Sequence, residues 1–186
     1  AVLENGFAGD AATALDALGW THVTVPMPFD PLQLAEIQKI LLIPSGGLYG
    51  TAGSADLNAR LQAFVEAGGT LIVLAQMLGE DFQTVPVPAG EPLTGYGWFE
   101  DQSCWLGSVR IAAVHPITAA LGQSGQSVAV DGYLEQWPSG ATVLLRKTNG
   151  GMPALIAYPR GSGWVAVGTI FSDWARGNGR SSAEDE

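Results

Sequence analysis

The sequence predicts an α/β fold in which a mainly parallel central sheet lies between two layers of helix. Three observations carry that prediction. Residues 38–79 read as an apolar strand (QKILLIPSGG), a helix (DLNARLQAFVEAGG) and a second apolar strand (TLIVLAQMLG). Both strand segments are continuously apolar, as strands covered on two faces are. The segment before them repeats the alternation of strand and helix, the order that packs as parallel strands joined by crossover helices.

Taken in order, AVLEN opens the chain as a short strand. In GDAATALDALGW, Asp10 stands as an N-cap, Ala11, Ala14, Leu15 and Leu18 recur at helical spacing, and Gly19 is a stop. THVTV is a β-branched second strand closed by PMPFDP, and 32–37 form a short helix leading into KILLIP. Asp56 stands as the cap of the next helix, whose apolar face is Leu57, Leu61, Phe64 and Val65 and whose end is Gly68-Gly69. TLIVLA is the buried strand that follows. Residues 79–107 are rich in Pro and Gly without helical period and read as a long insertion loop, a length that usually carries function or an interface. HPITAAL reads as a short helix and QSVAVDGYLEQWP as a strand and turn. Three further strands lie in ATVLLRKTN and PALIAYPRGSGWVAVGTIF, separated by NGG and RGSG turns, so the C-terminal half adds antiparallel strands beside the parallel ones.

The 186 residues are 47% hydrophobic and 14% charged, the composition of one globular domain with a real core. Eight basic against eighteen acidic residues leave a net charge of −10, which repels phosphate backbones and anionic lipid and argues against nucleic-acid and membrane-surface roles. No apolar run approaches the roughly 20 residues of a membrane-spanning helix, and no basic segment precedes an apolar one as in a signal peptide. The chain opens without Met and closes on RSSAEDE, polar residues resembling the start of a helix, so it reads as an excised piece of a longer protein, and no compartment is assigned. A single Cys excludes an internal disulfide.

The order of LLIPSGG, helix, AGGTLIVLAQ and a late GSGWVAVGTIFSDW resembles the class I glutamine amidotransferase-like superfamily, a flavodoxin-like three-layer sandwich, and within it the ThuA-like and β-galactosidase-trimerisation-like branches. The resemblance covers most of the chain, residues 1–186 forming one such domain. In active members a cysteine occupies the strand-to-helix turn after the apolar strand, where a helix N-terminus depresses its pKa. The matching position here is Ala75, flanked by Leu74 and Gln76, none of which offers an attacking atom. The family's basic histidine follows the last core strand, where this sequence has Phe171-Ser172-Asp173-Trp174. Ser172 accepts no proton near neutral pH, and Asp173 has no imidazole to orient. The turn Pro44-Ser45-Gly46-Gly47, which in active relatives supplies oxyanion-hole amides through Gly46 and Gly47, is equally what a tight strand-to-helix turn requires. The resemblance with these losses implies a non-catalytic scaffold or interaction module of a larger, bacterial-type protein, its partners being neighbouring domains or another protein, with no cofactor and no metal.

Other residues offer weaker chemistry. Cys104, beside Glu100 and Asp101, lacks the positive surroundings of a reactive thiol. His115 in VHPIT reads as a residue that shapes its loop, and His22 as an outward-facing strand residue; two isolated histidines make no metal site. Glu80 and Asp81 could face the ancestral pocket, or simply serve the first turn of a helix. An alternative reading is therefore a hydrolase built from Glu80, Asp81, Asp173 or Cys104, which requires at least two of them to converge near Gly46 and Gly47. Tyr96, Trp98, Phe99, Trp105, Trp137 and Trp174 are read first as the roof of the sheet edge and part of the core. They also suit an interface, and an exposed row of Trp98, Trp105 and Trp174 would make a carbohydrate-binding module.

Overall fold

The computed structural model describes residues 1–101, 108–119, 121 and 126–181. The chain runs β1 (Val2–Leu3), α1 (Ala8–Ala17), β2 (Thr24–Val25), α2 (Pro31–Ile37), β3 (Ile40–Ile43), α3 (Ala55–Glu66) and β4 (Thr70–Val73). After a 3-10 stretch, Gly79–Thr84, come β5 (Thr94–Tyr96), β6 (Ser108–Ile111), β7 (Gln126–Ser127), β8 (Tyr133–Gln136), β9 (Thr142–Lys147), β10 (Pro153–Arg160), β11 (Gly163–Gly168) and α4 (Ser172–Gly177). One nine-stranded sheet has the order β2-β1-β3-β4-β11-β10-β9-β6-β7. Its first five strands are mutually parallel, and every pairing from β11–β10 outward is antiparallel. Strands β5 and β8 form a separate antiparallel pair that ties the insertion to the C-terminal half. The predicted α/β sandwich with antiparallel additions is the observed fold.

Side chains alternate across the sheet, and the core divides accordingly. Leu41, Ile43, Leu71, Val73, Val165 and Val167 share one buried cluster with the apolar faces of α2 and α3. The intervening positions Leu155, Ala157 and Ala166 belong to a second cluster, and α1 packs on α4. The predicted face of α3 is correct: Leu61, Phe64 and Val65 are fully buried and Leu57 nearly so.

Several expectations require correction. Asp10 does not cap α1; the helix starts at Ala8, because Phe7 is already anchored by donating its N–H to the Ser45 carbonyl (2.9 Å), and Asp10 lies in the first turn. Ser54 caps α3 by accepting from the Leu57 N–H, while Asp56, one residue inside the helix, pairs with Arg60 (2.8 Å). The Asp30 side chain, by contrast, caps α2 through Leu32 and Gln33. THVTV contributes only Thr24–Val25 to the sheet, so His22 is not a strand residue; it is half-buried, with Nδ1 3.5 Å from an Asp16 oxygen. HPITAAL forms only a 3-10 turn, Pro116–Thr118. Strand β6 and helix α4 go beyond the sequence reading, the latter because six residues between glycines and a polar tail show no apolar period. Residues 102–107 of the predicted insertion, with Cys104 and Trp105, lie outside the described residues, as does most of the RSSAEDE terminus. Among the described residues, no helix is long and apolar enough to cross a membrane.

Candidate functional site

The parallel strands β1, β3, β4 and β11 end at one edge, and the sequence order of β1, β2 and β3 reverses direction in the sheet between β1 and β3. Crevices outside the carboxyl ends of strands, at such a reversal, are where open α/β sheets bind ligands. The segments leaving those strands meet here. The Pro44–Gly47 turn follows β3, with Gly46 in the left-handed region at φ 69°. Its N–H donates to the Ala75 carbonyl after β4 (2.9 Å), and Ala75 in turn donates to the Ile170 carbonyl after β11 (2.8 Å).

Buried side chains complete the junction. Asp173, in the first turn of α4, accepts from the Ser45 N–H through Oδ2 (2.8 Å) and from the Ser45 hydroxyl through Oδ1 (2.6 Å). Gln76, wholly buried, accepts from the Leu48 N–H (2.8 Å) and donates to the Leu74 carbonyl (2.9 Å) and the Pro44 carbonyl (3.3 Å). The candidate positions Gly46, Gly47, Ala75, Gln76, Ser172 and Asp173 are thus gathered at one edge by the fold. Burial pushes the Asp173 carboxyl above its ordinary range, against the pull of the Ser45 hydrogen bonds.

A cavity of about 260 Å³ opens beside this junction. Its apolar walls are Phe7, Trp98, Phe171 and Trp174, and its polar groups are Ser45, Asp131 and Arg180. Phe7 leans on Trp98 (ring centroids 6.2 Å apart) and Phe171 on Trp174 (5.7 Å). The Trp98 ring also covers Gly46, where an added Cβ would meet its Cη2 at 3.1 Å. The Arg180 guanidinium carbon lies 5.6 Å from the centroid of the Trp174 ring, a cation–π placement.

Asp131 is the unusual member. One of its oxygens, Oδ1, is enclosed without a hydrogen-bond partner. Removal from water, and then repulsion from Asp101, push the carboxyl up to about 6. Because the folded-state pKa lies above the ordinary 3.8, the fold prefers the protonated form. The stability this group contributes is complete below about 3.8 and gone above about 6. Asp131→Asn is therefore expected to stabilise the protein by about 1 kcal/mol at about pH 7.5, a figure reduced for solvent screening of a half-exposed group. Variant and parent should converge at about pH 4. Urea unfolding at both pH values checks this, and a variant less stable at the higher pH would contradict it.

The other predicted residues lie elsewhere. Asp81 is buried, but its carboxylate closes a local turn by accepting from the Leu78 N–H (3.0 Å), and Glu80 is exposed; neither lines the cavity. Glu80 and Asp81 therefore do not converge with Asp173 near Gly46 and Gly47, because the 3-10 stretch carries them away after β4. The residue that does meet Asp173 is Ser45. His115 shapes its loop as expected, its Nδ1 accepting from the Ile117 N–H (3.2 Å). Trp98 and Trp174 form no exposed row; they are half-buried walls of a concavity, while Trp137 packs against the main core. Phe7, Asp131 and Arg180 do not stand out in the sequence reading. Phe7 was findable from its place just after β1, and Asp131 as a lone acid in the apolar run SVAVDGYL. Arg180 carries no local signal.

No protein-family model matches the chain, and no curated protein matches its sequence. Solved structures do match. A Thermoplasma acidophilum protein, assigned by inference to GMP synthase, aligns with a TM-score of 0.63 at 14% identity over 92% of this chain and 82% of its own. A cytoplasmic protein of Salmonella typhimurium LT2 aligns with a TM-score of 0.57 at 13% identity, covering 89% of this chain and 76% of that one. Gan42B, a GH42 β-galactosidase from G. stearothermophilus, aligns with a TM-score of 0.56 at 15% identity over 94% of this chain, which spans only 25% of that enzyme. At such identities the likeness is one of fold, and the fold resembles that of glutamine amidotransferase-like proteins.

Proposed function

Starting from this amidotransferase-like fold, we propose that the chain is a non-catalytic domain of the ThuA-like kind, a scaffold or interaction module working within a larger protein. One observation carries the reading: at the turn after β3, four successive amides are already committed. Ser45 donates to Asp173, Gly46 to the Ala75 carbonyl, Gly47 to the Pro44 carbonyl (2.8 Å) and Leu48 to Gln76. An oxyanion hole needs donors aimed at empty space, and these four point into the protein's own acceptors. Ala75 contributes only a methyl group at the centre of the same junction, and neither histidine lines the cavity. That a chain of this fold makes up about a quarter of a β-galactosidase supports the role of one domain among several.

A second reading is favoured by the Ser45–Asp173 pair. A serine hydroxyl lining a cavity and bonded at 2.6 Å to a carboxylate of raised proton affinity is the start of a hydrolytic site. The two readings separate in one assay. The purified protein is expected to release no ammonia from glutamine, and to hydrolyse p-nitrophenyl acetate no faster than buffer. Turnover that disappears in Ser45→Ala or Asp173→Asn would replace the first reading with the second.

A further inference from the structure

We propose that the cavity formed by Phe7, Trp98, Phe171 and Trp174 with Asp131 and Arg180 is a binding site for a single neutral pyranose ring. The inference rests on the non-catalytic reading only in treating the sugar as a ligand rather than a substrate. Its chemistry follows by elimination from the walls. Aromatic faces receive either a cation or the flat C–H face of a sugar. The cation position over Trp174 is already filled by Arg180, so a second positive group would be repelled where it should stack. An anion would enter a chain of net charge −10 beside Asp131, with Asp173 fixed just beneath through Ser45. A neutral polyol avoids both penalties.

The polar groups suit hydroxyls. Arg180 donates only, Ser45 both donates and accepts, and the Asp131 carboxyl keeps unused acceptor capacity in the free protein. Its raised proton affinity lets it donate as well when protonated. The volume of about 260 Å³ lies at the small end of ligand pockets and holds one ring rather than an oligosaccharide. A free monosaccharide and the terminal unit of a glycan present the same ring. A ligand of this size reaches a Kd on the order of 1 mM.

Isotope-labelled protein is titrated with the methyl pyranosides of glucose, galactose, mannose and N-acetylglucosamine, and separately with tetramethylammonium. The Trp98 and Trp174 indole N–H resonances and the Gly132 amide are followed. At least one methyl pyranoside is expected to shift both indoles saturably and tetramethylammonium to leave them unmoved. Trp98→Ala and Asp131→Asn should each weaken binding roughly tenfold. Asp131→Asn is expected to fold at least as well as the parent, so it decides the matter should Trp98→Ala fail to fold. Tighter binding of a matching disaccharide would identify a glycan end, and equal binding a free sugar. The inference is overturned if no pyranoside saturates the indole shifts by about 50 mM, if tetramethylammonium does so instead, or if Asp131→Asn binds as the parent does. Cleavage of a bound methyl glycoside would overturn the non-catalytic reading and leave the site standing. Silence in the titration together with no turnover would remove the site alone.

Discussion

Lys147→Met is expected to cost the folded protein about 3–5 kcal/mol. Lys147 and Asp101 are both more than nine-tenths buried, and their charged atoms lie 2.9 Å apart. The lysine also donates to the Gly132 carbonyl (3.2 Å), and the same Asp101 oxygen accepts from the Gly132 N–H (3.1 Å). Methionine fills the aliphatic path of the lysine but strands a carboxylate in the interior, and an unpaired buried charge costs far more than the pair was worth. Removing that charge as well should recover about half of the loss in the double variant Lys147→Met/Asp101→Asn, since asparagine still accepts from Gly132. Urea unfolding of the two variants measures both quantities. A single-variant loss under about 1 kcal/mol would mean the interior around Asp101 is wetter than its burial implies. The effect reaches the cavity too: the lysine holds Asp131 down and Asp101 pushes it up, so losing the lysine raises the proton affinity of Asp131 further.

Gly6→Ala is the second large effect, expected at about 3 kcal/mol or more. Gly6 has φ 58°, and a Cβ there would meet the Ser45 carbonyl oxygen at 2.4 Å, the Gly46 carbonyl carbon at 2.5 Å and the Gly47 nitrogen at 2.6 Å. All three are backbone atoms of a turn whose amides are committed, so nothing can swing aside. Gly19→Ala is the matched control: φ is 72°, but no atom lies within 4 Å of the added carbon. It should cost only the left-handed strain, about 1–2 kcal/mol. The difference between the variants isolates the clash, and equal losses would refute it. Gly6→Ala should also displace Phe7, the next residue, from the cavity wall.

These two cases mark where local sequence stops informing. The β3–α3–β4 unit was legible because its signals are local: apolar runs for covered strands, and Leu57, Leu61, Phe64 and Val65 at helical spacing. The convergence of Gly46, Ala75 and Asp173 was legible through topology, since parallel strands deliver their ends to one edge. What those residues do there was not. The bond between Asp173 and Ser45 joins positions 128 residues apart, and nothing near either one announces the other. The start of α1 escapes local reading for the same reason, because a contact to Ser45 outweighs the capping preference of Asp10. The cavity draws walls from the exits of β1, β3 and β11, from the insertion and from the segment after α4. Only its tryptophans stood out, and they stood out as a surface row because concavity is a tertiary property.

The fastened turn after β3 also limits what an engineer could retrieve from this scaffold. A thiol installed at position 75 would rest among Phe171, Ala175 and the indoles, surroundings that keep sulfur protonated and dull. Any negative oxygen developing above it would find the nearby peptide hydrogens already spoken for. Reviving bond-breaking chemistry would therefore begin by loosening Gln76 and Asp173, and the first casualty of that loosening would be the framework that makes the position worth using.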